Sequence, residues 1–464
     1  MLTKKRVAEI IEHAASSPAV ALDSGAGLVE KGLHKMVAKV TTKKIASYWN
    51  VLGPGLITGA ADDDPSGIAT YSQQGAQYGL QLLWLAPFTF PLMSIVQEMC
   101  ARIGLSTGRG LAGNIRKYYP TWVIYSVTML LFIANTLNLG ADLGAMAKAV
   151  QLLNPSLNFY FLVIAFSVAT LLLLIFLSYR VYAQYLKYLA FILFAYVFSA
   201  LSIEGIDWAQ VFWHTVIPSL TLSPQQILLI TGILGTTISP YLFFWQTSLE
   251  NEEQILKGET TIKDRQESIT DRGIRRMRAD VWAGMFISNL VMFFIVVSCA
   301  ETLYKNGITN IVTAADAAAA LKPIAGEYAY LLFSIGIIGS GLLAVPVLAG
   351  SASYALSESM RWKLGLYKKL KEASAFYGVI IISMVIGMLI NFIGFDPMKA
   401  LLYSAVVNGI VAPIILFFIV RISSNKTIMN GRSNHPVVTK IGWFTTGMMG
   451  VVAVAAIISM LFFS

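Results

Sequence analysis

Apolar residues run along this chain in stretches of about 20, separated by short polar or basic connections, and each run is long enough to cross the roughly 30 Å hydrocarbon core of a bilayer. The runs fall near 50–78, 82–104, 121–150, 158–178, 182–202, 225–250, 279–301, 327–356, 373–394, 397–420 and 440–463. They predict an all-α polytopic membrane protein of about eleven transmembrane helices. Two runs are interrupted mid-membrane. The first, "GPGLITGAADDDPSGIATYSQQGAQYG" from Gly53, holds three consecutive acids, Asp62, Asp63 and Asp64, followed by Pro65. The sixth, "LLITGILGTTISPYLFFWQTSLE", breaks at Ser239-Pro240 beside Thr236 and Thr237. Proline lacks an N–H and clashes one turn back, so a helix stops or kinks there. Unwound backbone at membrane depth is tolerated only where it lines a cavity or is buried in protein. Interruptions at corresponding places in two halves point to a site between inverted repeats. The alternative for each break is an ordinary proline kink.

Charge then orients the chain. Of its 34 Lys and Arg, all but Lys148, Lys305, Lys322 and Lys399 fall on one face: the N-terminal tail and the loops near 102–120, 180–187, 250–278, 361–371 and 421–440. Positive residues favour the cytoplasm. The N-terminus is therefore expected inside and the C-terminus outside, in a plasma (inner) membrane. The same asymmetry accounts for the net charge of +9 without a nucleic-acid partner. The tail, residues 1–47, has no long apolar core and is not read as a cleavable signal peptide. It reads either as a basic amphipathic helix on an anionic leaflet or as a solvated coil. The remaining units are 48–204 and 225–421, each with five spans, and 440–464 with the last.

Composition agrees with this class: 56% of residues are hydrophobic and 13% charged. Cys100 and Cys299, in or beside apolar spans, form neither a disulfide framework nor a metal spacing. No Ser/His/Asp, Cys/His, metal-hydrolase or phosphate-loop pattern marks an enzyme. No cofactor and no protein partner is indicated beyond the bilayer and a small inorganic ion. A central Asp costs roughly 2.5–3.5 kcal/mol on insertion scales. At least one of the three acids should therefore meet a cation, water or a proton. For Asp64 the competing role is the N-cap of the second half-helix. Thr236, Thr237 and Ser239 read equally as helix-packing hydroxyls. Glu98 reads as the i,i+4 partner of Arg102. Trp84, Trp122 and Trp208 read as an interfacial belt.

These residues resemble the NRAMP family of divalent-metal transporters over nearly the whole chain. The first run is similar to the family's first span, with its Asp-Pro-Gly-Asn break. "ARIGLSTGRGLAGNIR" from Ala101 is similar to the family's inner end of span 2, and "GTTISPYLFFWQ" from Gly235 to its broken span 6, with Met-Pro-His. The resemblance implies a five-plus-five inverted repeat with broken helices 1 and 6, as in LeuT-like transporters, an added eleventh span, and alternating access. By position it implies an ion site made of the Asp64 side chain, the Ala61 carbonyl, Gly67, Thr236 and Ser239, with Asp64 as the metal ligand. Asp62, Asp63, Ser66, Thr237, Tyr241, Asn138, Asp142 and Gln246 are accessory or vestibule candidates. The family's Asn ligand is Gly67 here, which widens the site by one side chain, and its thioether is Ser239. Oxygen ligands suit hard ions such as Mg²⁺. Asn138 and Ala141 replace two family acids on span 3, with Asp142 one place later. Tyr241 and Gln246 replace two histidines, and the four His of this chain (His13, His34, His214, His435) lie in the tail or loops. In span 8, "LLAVPVLAG" replaces a polar stretch. The expectation is a transporter of a hard divalent cation, or of poorly selective Mn²⁺, with weak or absent proton coupling. The competing expectation is a cation-coupled carrier of a small anion or zwitterion, such as bicarbonate or an amino acid. In that case the N-terminus of the second half of span 1, opened by Ser66 and Gly67, would hold the anion.

Overall fold

The computed structural model describes residues 53–176, 191–311 and 313–462, and every regular element among them is a helix. The basic tail at 1–47 and the first part of the fifth expected span lie outside the described residues. The first run forms two helices, α1 (Pro54–Asp62) and α2 (Pro65–Tyr78). Then come α3 (Leu85–Thr107), the short α4 (Leu111–Tyr118), α5 (Thr121–Leu153) and α6 (Phe159–Phe176). The fifth run ends as α7 (Ala195–Ser202), and α8 (Trp208–Val216), which carries His214 in its last turn, connects to the second half. The sixth run is again a pair, α9 (Pro224–Thr237) and α10 (Pro240–Leu256). The short α11 (Ile262–Glu267) leads to α12 (Asp271–Thr302), and α13 (Ala314–Ala319) and α14 (Lys322–Ala325) lead to α15 (Ala329–Met360). The chain closes with α16 (Ser374–Ile390), α17 (Pro397–Ser423) and α18 (Pro436–Phe462).

Eight segments among the described residues are long and apolar enough to cross a membrane by length and composition alone. The first, second and fifth expected spans are not among them. The first is cut in two, α3 carries Gln97, Glu98 and Arg102, and the fifth enters the described residues only at 191. The seventh span starts at Asp271 rather than near 279. Thr270 caps it, with the Gly273 N–H donating to Thr270 Oγ1 at 3.1 Å, so two polar turns precede the apolar ones.

Both breaks use the same backbone solution. At the first, Asp63 (φ −83°, ψ 57°) ends α1 and the extended Asp64 (φ −71°, ψ 168°) opens α2. At the second, Ile238 (φ −114°, ψ 66°) ends α9 and the extended Ser239 (φ −83°, ψ 127°) opens α10. Pro65 and Pro240 each take the first helical position, where the missing N–H has no intrahelical partner to lose.

Small residues set how closely the helices approach. Gly55 and Gly59 on α1 lie against Val281 and Gly284 on α12, Gly235 on α9 against Ala405 and Gly409 on α17, and Gly140 on α5 against Gly387 on α16. Outward faces carry apolar stripes at helical spacing: Phe161, Ile164, Val168 and Leu172 on α6, and Val451, Val454, Ile458 and Leu461 on α18. These are lipid-facing surfaces. Trp122 and Trp208 are exposed, as a belt requires, but Trp84 is half-buried and packs on Phe88 with ring centroids 5.5 Å apart. Glu98 pairs with Arg102 at 2.5 Å and also with Arg278 at 2.8 Å, while Trp282 Nε1 donates to it at 3.0 Å.

Candidate functional site

Asp64 caps α2. Its Oδ1 accepts the Gly67 N–H at 2.7 Å and the Ser66 hydroxyl at 2.8 Å. Its Oδ2 accepts the Asn138 side-chain amide of α5 at 2.9 Å, and Asn138 Oδ1 accepts the Ser404 hydroxyl of α17 at 2.7 Å. Three helices are thereby tied at the break: α2, α5 and α17. The N-cap role falls on Asp64 because an extended residue before Pro65 throws its carboxylate back over the first amides of α2. The cost is that the N-terminus of α2 is already filled by a carboxylate.

The second break faces the first. A Cβ at Gly67 would lie 3.1 Å from Thr236 Oγ1 and 3.4 Å from Asp64 Oδ1 and Tyr71 Cε2. Gly67 therefore opens less space than expected, because a Cβ there would press on the Thr236 hydroxyl. Ser239 Oγ donates to the Thr236 carbonyl at 2.5 Å, with the Gly235 carbonyl at 3.0 Å, which leaves its lone pairs free. Tyr241 Oη donates to the Ala61 carbonyl at 3.1 Å and pins the end of α1 to α10. Thr237 Oγ1 donates back to the Ile233 carbonyl at 2.6 Å and lies 3.3 Å from Tyr71 Oη.

The other acids part company with Asp64. Asp62 Oδ2 and Asp63 Oδ1 share one hydroxyl, that of Ser288 on α12, at 2.7 and 3.1 Å. Asp142 stands one turn along α5 from Asn138, and neither of its oxygens accepts a hydrogen bond from protein. Gln246 lies away from the break. Its Oε1 accepts the Thr58 hydroxyl at 2.5 Å and its Nε2 donates to Glu250 at 2.9 Å, a polar line running toward the end of α10. Asp62, Asp63, Asp64 and Asp142 are 0, 4, 1 and 0% exposed, so the site is closed on every side. Asp62 and Asp63 are packed against α12 and do not line an open vestibule. Among the described residues none of these four carboxylates is ion-paired with Lys, Arg or His, and no three His, Cys, Asp or Glu form a ready-made metal cluster. A basic-free enclosure lined by carboxyl, hydroxyl, amide and carbonyl oxygens can hold a hard cation.

Ser404, Ser288, Thr58 and Glu250 escaped the sequence reading. Single hydroxyls in apolar runs are common, and nothing in "LLYSAVVNG" or "MFISNLVMF" says which face meets the break.

The comparisons agree with this architecture. The family model of natural resistance-associated macrophage protein-like (Nramp) proteins matches residues 55–459. The divalent metal cation transporter MntH of Klebsiella pneumoniae subsp. pneumoniae is 26% identical over 402 residues, covering 85% of this chain and 90% of its own. The crystal structure of the Eremococcus coleocola manganese transporter with an aromatic bis-isothiourea substituted compound superposes with a TM-score of 0.68 at 18% identity, covering 90% of this chain and 88% of that one. MhsT in complex with L-phenylalanine gives a TM-score of 0.51 at 14% identity, over 88% and 97% of the two chains. The structural likenesses show the fold, that of LeuT-like transporters with helices broken at the centre. With the family match over most of its length, the chain belongs to the Nramp family and is an integral membrane transporter, not an enzyme.

Proposed function

We propose that this protein is a secondary transporter of a divalent metal cation that works by alternating access, with Asp64 as the metal ligand and weak or absent proton coupling. The single observation carrying this reading is the filling of the α2 N-terminus by Asp64, through Gly67 N at 2.7 Å and Ser66 Oγ at 2.8 Å. An anionic substrate bound there would meet a carboxylate in place of free amides, so the anion and zwitterion reading loses its seat. A cation finds hard oxygen donors: Asp64, the Ala61 carbonyl, Thr236, Ser239 and backbone at Gly67. The relatives named for divalent cations and manganese support the substrate class. Oxygen-only ligands favour Mg²⁺, or Mn²⁺ without discrimination against Mg²⁺. Gln246, in a polar line with Thr58 and Glu250, and Tyr241, on the Ala61 carbonyl, stand in place of imidazoles that would titrate near neutral pH. Units 48–204 and 225–421 act as the inverted repeats, with the N-terminus cytoplasmic and the C-terminus outside.

The test is flux into liposomes of Mn²⁺, Mg²⁺ and Ca²⁺, run beside labelled bicarbonate, with a trapped pH dye. Divalent flux without matching acidification is expected, and Mg²⁺ should compete with Mn²⁺. Bicarbonate flux without metal flux would overturn the substrate class. Acidification in step with metal entry would overturn the coupling.

A further inference from the structure

We infer that Asp142 is the second anionic group of the Asp64 site, and that a bound divalent cation is neutralised by Asp64 and Asp142 together. This rests on the reading of the site as a cation seat. Asp142 is fully buried, and no protein donor reaches either of its carboxylate oxygens. Every other acid at the breaks has at least one donor: Asp64 has three, and Asp62 and Asp63 share Ser288. Asn138, four residues earlier on the same face of α5, touches Asp64 at 2.9 Å. Asp142 therefore stands one turn further along the face that α5 turns to the site, and the charges of Asp64 and Asp142 act on each other. Tyr241, which holds the Ala61 carbonyl, lies in the field of Asp62, Asp64 and Asp142 alike.

Position and charge both suit a shared ion. A carboxylate with no donor in a water-poor interior is expensive to keep. A cation between the two acids removes that cost and accounts for a bare carboxylate beside a fully bonded one. Asp64 alone would leave a dication with one net positive charge at membrane depth. With Asp142 the pair is neutral, and a monovalent ion is disfavoured because it leaves one carboxylate uncompensated. The residue stands on the helix that carries Asn138, so the same helix supplies an amide to Asp64 and a charge to the ion.

The test is calorimetric titration of the purified full-length protein with Mn²⁺, alongside the Asp142→Asn and Asp64→Asn variants. Asparagine copies the shape of a neutral acid, so an Asp142 that only fills space would tolerate the change. Asp142→Asn is expected to weaken Mn²⁺ binding at least about tenfold, the lower end for groups that support a metal. It should also leave the metal-free protein as stable as the wild type or more so, because it removes a bare carboxylate. If Asp142→Asn is not monodisperse in detergent, Asp142→Ser gives the same readout with less bulk. Unchanged Mn²⁺ affinity in the Asp142 variant, with loss in Asp64→Asn, would overturn the inference and leave the cation reading standing. No Mn²⁺ binding by the wild type would overturn both.

Discussion

Gly55→Ala should unlatch α1, the first half of span 1. At Gly55 helix α1 lies directly against the backbone of α12, and a Cβ there would come within 2.6 Å of Val281 N, 2.7 Å of Val281 Cα and 2.8 Å of Asp280 C. All three are backbone atoms of a long helix, so they cannot swing aside. An ordinary carbon contact is about 3.5–4.0 Å, so α1 must retreat by about 1 Å. Overpacking of this kind costs roughly 1–3 kcal/mol. Alanine also improves helix propensity by about 1 kcal/mol over glycine, but α1 is helical whether it lies on α12 or swings away, so that gain cancels between the two states. The contact term alone shifts the balance from closed to open by roughly 5–150-fold. Thr58 is a suitable reporter because it is fully buried beside Gln246 on the polar line. In a Cys100→Ser, Cys299→Ser background, Thr58→Cys should react with a maleimide only when α1 opens. Its labelling rate should rise by that factor in the Gly55→Ala protein. An unchanged rate in a protein that still transports would refute the reasoning, because α1 and α12 would then be moving as one body.

Three further outcomes are expected. Asp64→Ala and Asp64→Asn should both abolish metal flux, but Ala should lower the unfolding midpoint more, since it strands the Gly67 amide and the Asn138 side chain at about 1–3 kcal/mol each; equal midpoints would contradict the cap. Gly67→Asn with Ser239→Met should tighten Mn²⁺ binding, because it adds an amide and a thioether ligand beside Asp64; calorimetry that finds the double variant no tighter than the wild type would contradict the site. Glu358 accepts the Gly110 and Gly113 N–H groups at 2.8 Å each and holds the start of α4. Glu358→Ala should therefore speed hydrogen exchange across 110–118 by roughly 5–150-fold for each stranded amide, from about 1–3 kcal/mol apiece, while unchanged exchange would mean that the carboxylate is not what holds α4.

The one-dimensional order of residues determined a good deal by itself. Span length against bilayer thickness, the bias of Lys and Arg to one side, and the two prolines at membrane depth are local or additive properties, so the class, the broken helices and the Asp64 cap could be read before any packing was known. The Glu98–Arg102 pair was legible for the same reason, as i and i+4 on one helix are always neighbours. What Asp62 and Asp63 do was not legible. Their partner, Ser288, is 225 or more residues away, and only the glycine contact of α1 with α12 brings it there. Gln246 was placed at the site by homologous position, yet the turn of α10 carries it to Thr58 and Glu250. Gly67 suggested empty space because a sequence shows a missing side chain and cannot show Thr236 Oγ1 crowding its place. Asp142 and Asp64 both read as buried acids, and only the three-dimensional count of donors separates them, three for one and none for the other. Hydrogen-bond partners across helices depend on helix rotation and register, which long-range packing fixes and no local pattern encodes.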